Sequence, residues 1–478
     1  MTSRQSILGL LLLMHSKDFF LDGVYMKFFQ IALTCVLASL TLGGCATFSQ
    51  DGGFGGVKKA SAEHIKQEIV WPKTAAEQKA VADRVTELLK TPLNADGAVQ
   101  LALLNNKDLQ ASFYQLGISE SDVVQAGRFP NPKFSMLYAR NNGDYKIEQA
   151  LTFNIFSLIT MPKMLEIERA DFEKTKQVVA LDVLNLAHET RLAYFNAVAA
   201  NERFSYSEQV KVSAEASAEL ASRMVKAGNW NALEQATEQS FYADAIVEYA
   251  NAKNQQTSAS EALSRLLALP VAQLQVENRL PDLPQIIDEL HAYEKTAFER
   301  RLDLQAMRLE TQDLAIQLGL TKTTRFINVL EIGPARVLEG KPSDPYKKGV
   351  DISFELPLFD WGGAKVAKAE ATYMQAVNRT AQLAINAQSE IREAYSRYQT
   401  NYEVAKHYRD EIVPLRKKVL EENQLRYNGM LISPFDLFAD ARAQVQSVNS
   451  YIATLNEFWL AETALQMSLV GSASKEGK

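Results

Sequence analysis

Two stretches decide the fold: KAGNWNALEQATEQ, beginning at Lys226, and YNGMLISPFDLFADA, beginning at Tyr427. In each, a glycine, Gly228 or Gly429, stops a long helical pattern at a point where a positive φ costs least. A capping box then restarts a helix, with Asn231 and Glu234 in the first stretch and Ser433 and Asp436 in the second. Pro434 occupies the first helical position, where its missing N–H is not needed. The two caps stand 202 residues apart, and the expected strand ends upstream, Ile155-Phe156 and Leu358-Phe359, stand 203 apart. Two coincident offsets predict an internal duplication.

Outward from these turns, each half reads in the same order: helix, two strands, a very long helix, the tight turn, and a shorter helix. In the first half a helical pattern covers 91–127 and ends in Phe129-Pro130-Asn131-Pro132. Strands follow at about 133–140 and 145–156, joined by the turn Asn141-Asn142-Gly143-Asp144. In the second half 289–320 is helical, and strands follow at about 325–337 and 349–358 across a Gly/Pro-rich loop. The helix from about Met161 to Ala227 would reach roughly 100 Å, and its counterpart from Ala364 to Tyr427 nearly the same. Along the latter, Val366, Ala369, Tyr373, Val377, Thr380, Ala384, Ala387, Ile391, Ala394, Tyr398, Tyr402 and Ala405 keep the spacing of a coiled-coil seam. Pro414 is expected to bend it. The shorter helices at 92–128 and 231–269, stacked end to end, would match one long helix.

The strands alternate. Ile147, Gln149, Leu151, Phe153 and Ile155 share one face, against Lys146, Glu148, Ala150, Thr152 and Asn154. Val350, Ile352, Phe354 and Leu356 oppose Asp351, Ser353 and Glu355, and Phe134, Met136 and Tyr138 oppose Lys133 and Ser135. The third strand alternates poorly. Segments of this length and pattern suit an outer-membrane barrel wall with a wet lumen, and equally a half-buried soluble sheet. Four strands cannot close a barrel and lipid tolerates no open edge, so the membrane reading requires several copies.

The composition narrows the function classes. Of the 478 residues 47% are hydrophobic and 23% charged, and the net charge is −6, which argues against a basic nucleic-acid surface. Two cysteines exclude a disulfide scaffold or a Cys-rich metal site. Beyond the N-terminal region no apolar run reaches the ~18–20 residues of a spanning helix. From Met26, Lys27 and an apolar run from Phe28 to Leu42 read as a secretory signal. It ends in Leu42-Gly43-Gly44-Cys45, which resembles a bacterial lipobox. The expected organisation is an upstream extension at 1–25, a lipoprotein signal at 26–44, and a tether and periplasmic segment at 45–90. Two repeats at 91–288 and 289–471 and a tail at 472–478 complete it. Cleavage before Cys45 would remove Arg4, Lys17, Lys27, Asp18 and Asp22, taking the net charge from −6 to −7. It would also leave Cys45 as the lipidated residue of a chain without a free thiol. The Gly-rich 52–56 stretch reads as a flexible tether.

ALLNNKDLQASF, AGRFPNP, ISFELPLFDWGGAK and RYNGMLISPFDLFADARAQ, in this order, resemble the TolC family of outer-membrane efflux proteins over about 91–471. AGRFPNP is similar to its heavy-metal branch. The resemblance implies a mainly α fold with a small β part. Each chain would give four strands to a shared 12-stranded trimeric barrel above a long antiparallel helical tunnel. It implies a homotrimer, an inner-membrane pump and a periplasmic adaptor as partners, and a location in the cell outer membrane with a large periplasmic part. The family's tip gate uses tyrosine, arginine and aspartate. The tyrosine falls on Tyr427 and the main aspartate on Asp436; the arginine position holds Ile432, and the second aspartate position holds Ala439 beside Asp440. Asp436 would form an acidic ring in three copies, or merely complete the cap with Ser433. The turns Gly228-Asn229-Trp230 and Gly429-Met430-Leu431 would offer apolar residues to a docking partner, or pack locally.

His15, His64, His188, His291 and His407 form no ligand pair, and no nucleotide-binding, nucleophile-elbow or zinc motif occurs. Paired acids such as Glu421-Glu422 sit in helical charge patterns. The sequence therefore predicts no enzyme, no metal and no cofactor. It predicts a passive export duct whose substrate (metal ion, drug or protein) is open. The alternative is a lipid-anchored periplasmic coiled-coil scaffold without a channel.

Overall fold

The computed structural model describes residues 47–287, 300–327 and 329–471. The stretch 1–25, the expected signal at 26–44, Cys45, the second half's first residues at 289–299 and the tail at 472–478 lie outside the described residues. Two short helices, α1 (Phe54–Ala62) and α2 (Ala75–Leu88), precede α3 (Ala95–Asn105) and α4 (Lys107–Ala126). Strands β1 (Lys133–Asn141) and β2 (Asp144–Asn154) lead into α5 (Ile155–Lys226), and α6 (Ala232–Leu267) returns. The second half runs α7 (Leu302–Thr324), β3 (Leu330–Gly340), β4 (Lys347–Phe354), α8 (Gly363–His407), α9 (Val413–Asn428) and α10 (Pro434–Ser468).

Helix α5 has 72 residues, about 108 Å. It starts before the expected Met161 because the Asn154 side chain accepts the Ser157 N–H and caps it at the strand's end, and it takes Pro162 inside its first turns. In the second half the seam holds: all twelve of its residues are buried or half-buried. Ahead of Pro414 the hydrogen-bond ladder lengthens into a π turn, Tyr408–Ile412, closed by the Val413 N–H on the Tyr408 carbonyl. That turn takes up the position where proline has no N–H to donate.

The expected helix over 91–127 is two helices. Asn106 turns extended (ψ 127°), caps α4 through the Leu109 N–H, and donates its amide to Leu266 O at 2.9 Å. Asn105 donates to Leu267 O and Ala268 O. The break is thus where the C-terminus of α6 abuts the start of α4, and both run along α5. The second half repeats this joint with a different side chain. Arg301 is fully buried; it donates to Ser468 O (2.9 Å) at the end of α10, to both Asp303 oxygens, and to Glu390 of α8 (3.0 Å). The hydrophobic core gathers around these two joints: Leu101, Phe113, Leu116, Val183, Tyr194, Leu263, Leu267, Tyr402, Phe458 and Leu465.

The Gly-rich stretch is no tether. Gly53 has φ 78°, and a Cβ there would lie 2.5 Å from the Phe172 ring; one on Gly56 would meet Lys176 at 3.1 Å. These glycines let α1 press against α5, and composition alone does not separate close packing from flexibility. Ser49 N–H is already fixed on Glu120 of α4 at 2.6 Å.

The sheet is antiparallel throughout, in the order β1-β2-β3-β4. Asn142 (φ 45°) and Gly143 (φ 96°) form the two-residue turn that their sequence predicts. The second-half strands sit differently from expectation: β3 starts at Leu330, and β4 ends at Phe354. Leu358-Phe359 therefore lies in an irregular connection ending at Gly362, not at a strand end. Gly362 (φ 73°) has no room for a Cβ beside the Arg325 carbonyl, 2.6 Å away.

Candidate functional site

The strand register fixes two faces. Phe134, Met136 and Tyr138 of β1 lie opposite Leu151, Gln149 and Ile147 of β2; Phe153 faces Ile332, which faces Ile352, and Leu330 faces Phe354. These residues share one side of the sheet, and most are open: Phe134 is 65% exposed and Val350 68%. The other side carries Lys133, Lys146, Glu148, Ala150, Thr152, Glu331, Glu339, Lys347, Asp351 and Ser353. Ala150, Thr152 and Gly333 on that side are buried, and on the first side, among the described strand residues, only Leu338 is. The side pointing away from the protein is thus the apolar one, the reverse of a soluble sheet. Among the described residues β1 and β4 each pair on one side only, leaving two open edges. Below the strands Leu356, Leu358, Phe359 and Trp361 continue the exposed apolar surface. Trp361 packs edge-on against Phe326, ring centroids 6.1 Å apart.

The third strand alternates poorly in sequence for a local reason. Its outward positions include Pro334 and Arg336, and Gly333 approaches β2 so closely that a Cβ would fall 1.9 Å from the Leu151 carbonyl. Arg336 instead donates to Gln149 Oε1 at 2.6 Å.

At the opposite end of the helices lie the two turns. In the first, Gly228 takes φ 79°, with its N–H on Val225 O and the Asn229 N–H on Met224 O. In the second the positive φ falls on Met430 (59°), not on the expected Gly429, whose φ is −83°. The bonding is the same one position on: Met430 N–H to Tyr427 O, and Leu431 N–H to Arg426 O. Met430 is 93% exposed, and Leu431 and Leu233 are exposed with it. Trp230 is not an exposed tip residue: it is 8% exposed, packed edge-on against Phe438 of α10. A large flat side chain beside an apolar neighbour gains more by burial than by exposure.

Asp436 completes the capping box, accepting from Ser433 N and Ser433 Oγ while Ser433 Oγ accepts the Asp436 N–H. Asp440 accepts from the Asn423 amide across the α9–α10 hairpin. Tyr427 is partly exposed. The three do not converge on one another through any of these bonds. Sequence reasoning missed a buried ionic contact near this end. Glu238 of α6 is buried and accepts from Arg442 Nη1 of α10 and from Ser217 Oγ of α5, each at 2.6 Å. The Arg442 guanidinium also lies over Phe241 and Phe435. It joins residues 204 positions apart, beyond any local pattern.

Among the described residues no group of three or more His, Cys, Asp or Glu is arranged to hold a metal, and no helix is long and apolar enough to cross a membrane. A concavity of about 350 Å³ beside the strand–helix junction is lined by Asp122, Arg128, Thr160, Met164 and Glu168. Burial there pushes the Glu168 carboxyl above its ordinary value, with Asp122 and Asp171 adding to it. It brings together no nucleophile and base.

Residues 98–269 match the outer membrane efflux protein family. No curated protein matches the chain. Solved structures do. The Campylobacter jejuni CmeC outer membrane channel has a TM-score of 0.67 at 16% identity, covering 86% of this chain and 91% of that one. The Neisseria gonorrhoeae MtrE outer membrane channel, in its open state, has 0.64 at 15%, covering 80% and 89%. CusC, solved in a study of transmembrane channel formation, has 0.64 at 17%, covering 79% and 92%. Identities this close to one another single out no branch. In fold, and in its family segment at 98–269, the chain resembles the TolC family of outer-membrane efflux proteins.

Proposed function

We propose that the chain is the outer-membrane channel-tunnel of a tripartite export system, passing substrates delivered by an inner-membrane pump through a periplasmic adaptor. The observation that carries this is the inside-out sheet. An exposed apolar face, a polar opposite face and two unpaired edges suit lipid only if neighbouring copies complete a closed wall. Three chains would supply twelve strands, with β4 of one copy pairing β1 of the next. The helices, two repeats at 91–288 and 289–471, would form the periplasmic tunnel, and the duct itself would perform no chemistry. Exposed Met430 and Leu431, with Gly228, Asn229 and Gly429 shaping the two turns, would meet the adaptor or pump. The buried face of Trp230 removes it from that surface, leaving it to brace the turn. Asp436 and Asp440, in three copies, would give the tip an acidic lining beside Tyr427.

Lipidation at Cys45 fits the chain's geometry. Ser49 is fixed on Glu120, and Glu120 lies six residues before the end of α4 at Ala126, the end that leads into β1. Four residues upstream reach at most about 14 Å, enough to place an acyl chain beside the foot of the strands.

The test is the mass of the purified protein in mild detergent, corrected for bound detergent. A stable trimer that conducts in planar bilayers supports the channel. A monomer under gentle conditions refutes it and returns the scaffold reading.

A further inference from the structure

Every charge that the four strands place on their outward face is a base. Following the register, that face carries Arg140 opposite Tyr145, and Gln149 opposite Arg336 opposite Lys348. The acids of the strands, Asp144, Glu148, Glu331, Glu339 and Asp351, all lie on the other face. There they meet their own cations: Lys146 on Glu148 at 2.8 Å, Lys133 on Glu331 and Lys347 on Glu339 at 3.6 Å. Arg140, Arg336 and Lys348 have no carboxylate partner among the described residues, and all three are exposed.

The depth of these bases is marked by aromatics. The Arg140 guanidinium lies 5.3 Å from the Tyr145 ring centre, and Tyr145 packs on Tyr138 at 6.1 Å. The Arg336 guanidinium lies 4.9 Å from the Tyr346 ring. Tyrosines on a lipid-facing surface collect at the headgroup level. Arg140 stands beside the β1–β2 hairpin, and Arg336 with Lys348 forms the second pair from the β3–β4 hairpin, level with Gln149 in the middle of β2. Between them and the helices the outward rows are apolar, from Leu151 and Val350 to Leu330 and Phe354. Water alone would not sort charge by face in this way, because a solvated outer face accepts acids as readily as bases.

We propose that Arg140, Arg336 and Lys348 form a binding girdle for phosphate-bearing lipid of the outer leaflet. This rests on the membrane reading above and adds a ligand to it. A guanidinium presents a planar fork that matches phosphate oxygens, and an ammonium adds a point charge. Stacking on Tyr145 and Tyr346 fixes the two guanidiniums without neutralising them. In a closed wall of several copies the three bases recur around the hairpin half of the wall at two levels, Arg140 on one and Arg336 with Lys348 on the other.

The experiment uses the full-length protein in mild detergent, offered equal amounts of bisphosphorylated lipid A and its dephosphorylated form. Retained lipid is read by native mass spectrometry. The protein should retain the phosphorylated form on the order of a hundredfold over the other, less so as salt rises. Replacing all three bases, Arg140→Gln, Arg336→Gln and Lys348→Gln, should lower that ratio by on the order of a hundredfold, at about fivefold per charge. Lys348→Gln alone should give about fivefold, which guards against a triple variant that fails to assemble. The inward set Lys133→Gln, Lys146→Gln and Lys347→Gln should leave the ratio unchanged. Equal retention of the two lipids, or equal loss from both sets, overturns the girdle while leaving the channel standing. Displacement of the lipid by millimolar inorganic phosphate also overturns it, since a free phosphate would then be the ligand. A protein that enters no bilayer overturns both readings.

Discussion

Glu238 and Arg442 offer a perturbation whose size follows from burial. Their contact ties α6 of the first half to α10 of the second, seven and nine residues from the capping residues Asn231 and Ser433. The Glu238 side chain is 1% exposed and that of Arg442 23%. Arg442→Leu leaves a buried carboxylate with Ser217 Oγ as its remaining partner. Breaking such a pair costs about 3–5 kcal/mol; because water reaches part of Arg442, the lower end applies. At a factor of ten per 1.4 kcal/mol, local opening should become on the order of a hundredfold more frequent. Native-state hydrogen exchange reads such local opening directly. Amides of the first turns of α6 and α10 should exchange on the order of a hundredfold faster, while those around Tyr194 stay unchanged. Adding Glu238→Leu removes the stranded charge and should recover most of the protection. Exchange within threefold of the parent in Arg442→Leu, or a double variant as loose as the single one, refutes the assignment of this pair as the tie between halves.

Arg301→Leu should strand Asp303 and Glu390 and unbind the end of α10, costing about 3–5 kcal/mol; protease should then cleave near Ser468 far sooner than in the parent. Burial, together with the nearby Asp171 and Glu310 carboxylates, pushes Asp313 up to about 6 against the opposing pull of Gln317 and Lys174. Its folded pKa lies above the unfolded one, so its unfavourable contribution is absent below about pH 4, grows as pH rises towards 6, and is complete above that. Asp313→Asn should therefore raise resistance to urea at pH 8, by about 1–3 kcal/mol, and leave it unaltered at pH 4; equal effects at both pH values would refute this. Met430→Gly removes a left-handed side chain and should slow exchange at the second turn by up to tenfold, about 1 kcal/mol. It should also weaken efflux in cells if that side chain docks a partner, and undiminished efflux would refute its docking role.

The sequence disclosed whatever repeats locally. The twelve-residue seam of α8 is legible because every third or fourth side chain must face a neighbour, and Asn142-Gly143 because few other residues take two positive φ values in succession. Position-specific contacts with distant chain were not legible. Asn106 reads as one of four consecutive polar residues, Asn105 to Asp108, within a helical pattern until the end of α6 arrives to use its amide. A signal was nevertheless present: Asp108-Leu109-Gln110-Ala111 recurs as Asp303-Leu304-Gln305-Ala306, at the second position of α4 and of α7 alike. That DLQA repeat marks both joints, 195 residues apart, and would have split the 91–127 helix. β3 was misplaced because Gly333, Pro334 and Arg336 answer to a close strand approach and to the Gln149 amide, neither of which follows a period of two. The Glu238–Arg442 contact has no local signature at all.

The departures between the halves all bear on the distal end. The two turns have the same hydrogen bonds, yet the left-handed position is Gly228 in one and Met430 in the other. The residue two positions on is Trp230 in the first and Ile432 in the second, and only the first is sealed, by Phe438. The first turn is therefore relaxed and covered. The second carries a non-glycine residue at a strain of about 1–2 kcal/mol and holds its two largest apolar side chains in solvent. Glycine at 430 would relieve the strain with no loss of hydrogen bonds, since the Met430 bond runs through its backbone. On the docking reading proposed above, a residue that costs stability and is 93% exposed among the described residues would be accounted for by a partner at this turn. The tie between Glu238 and Arg442 then acquires a mechanical sense. It fastens the exposed hairpin of α9 and α10 to the relaxed one, so that, under the proposed docking, a load at Met430 and Leu431 would be carried into both halves instead of peeling the second away.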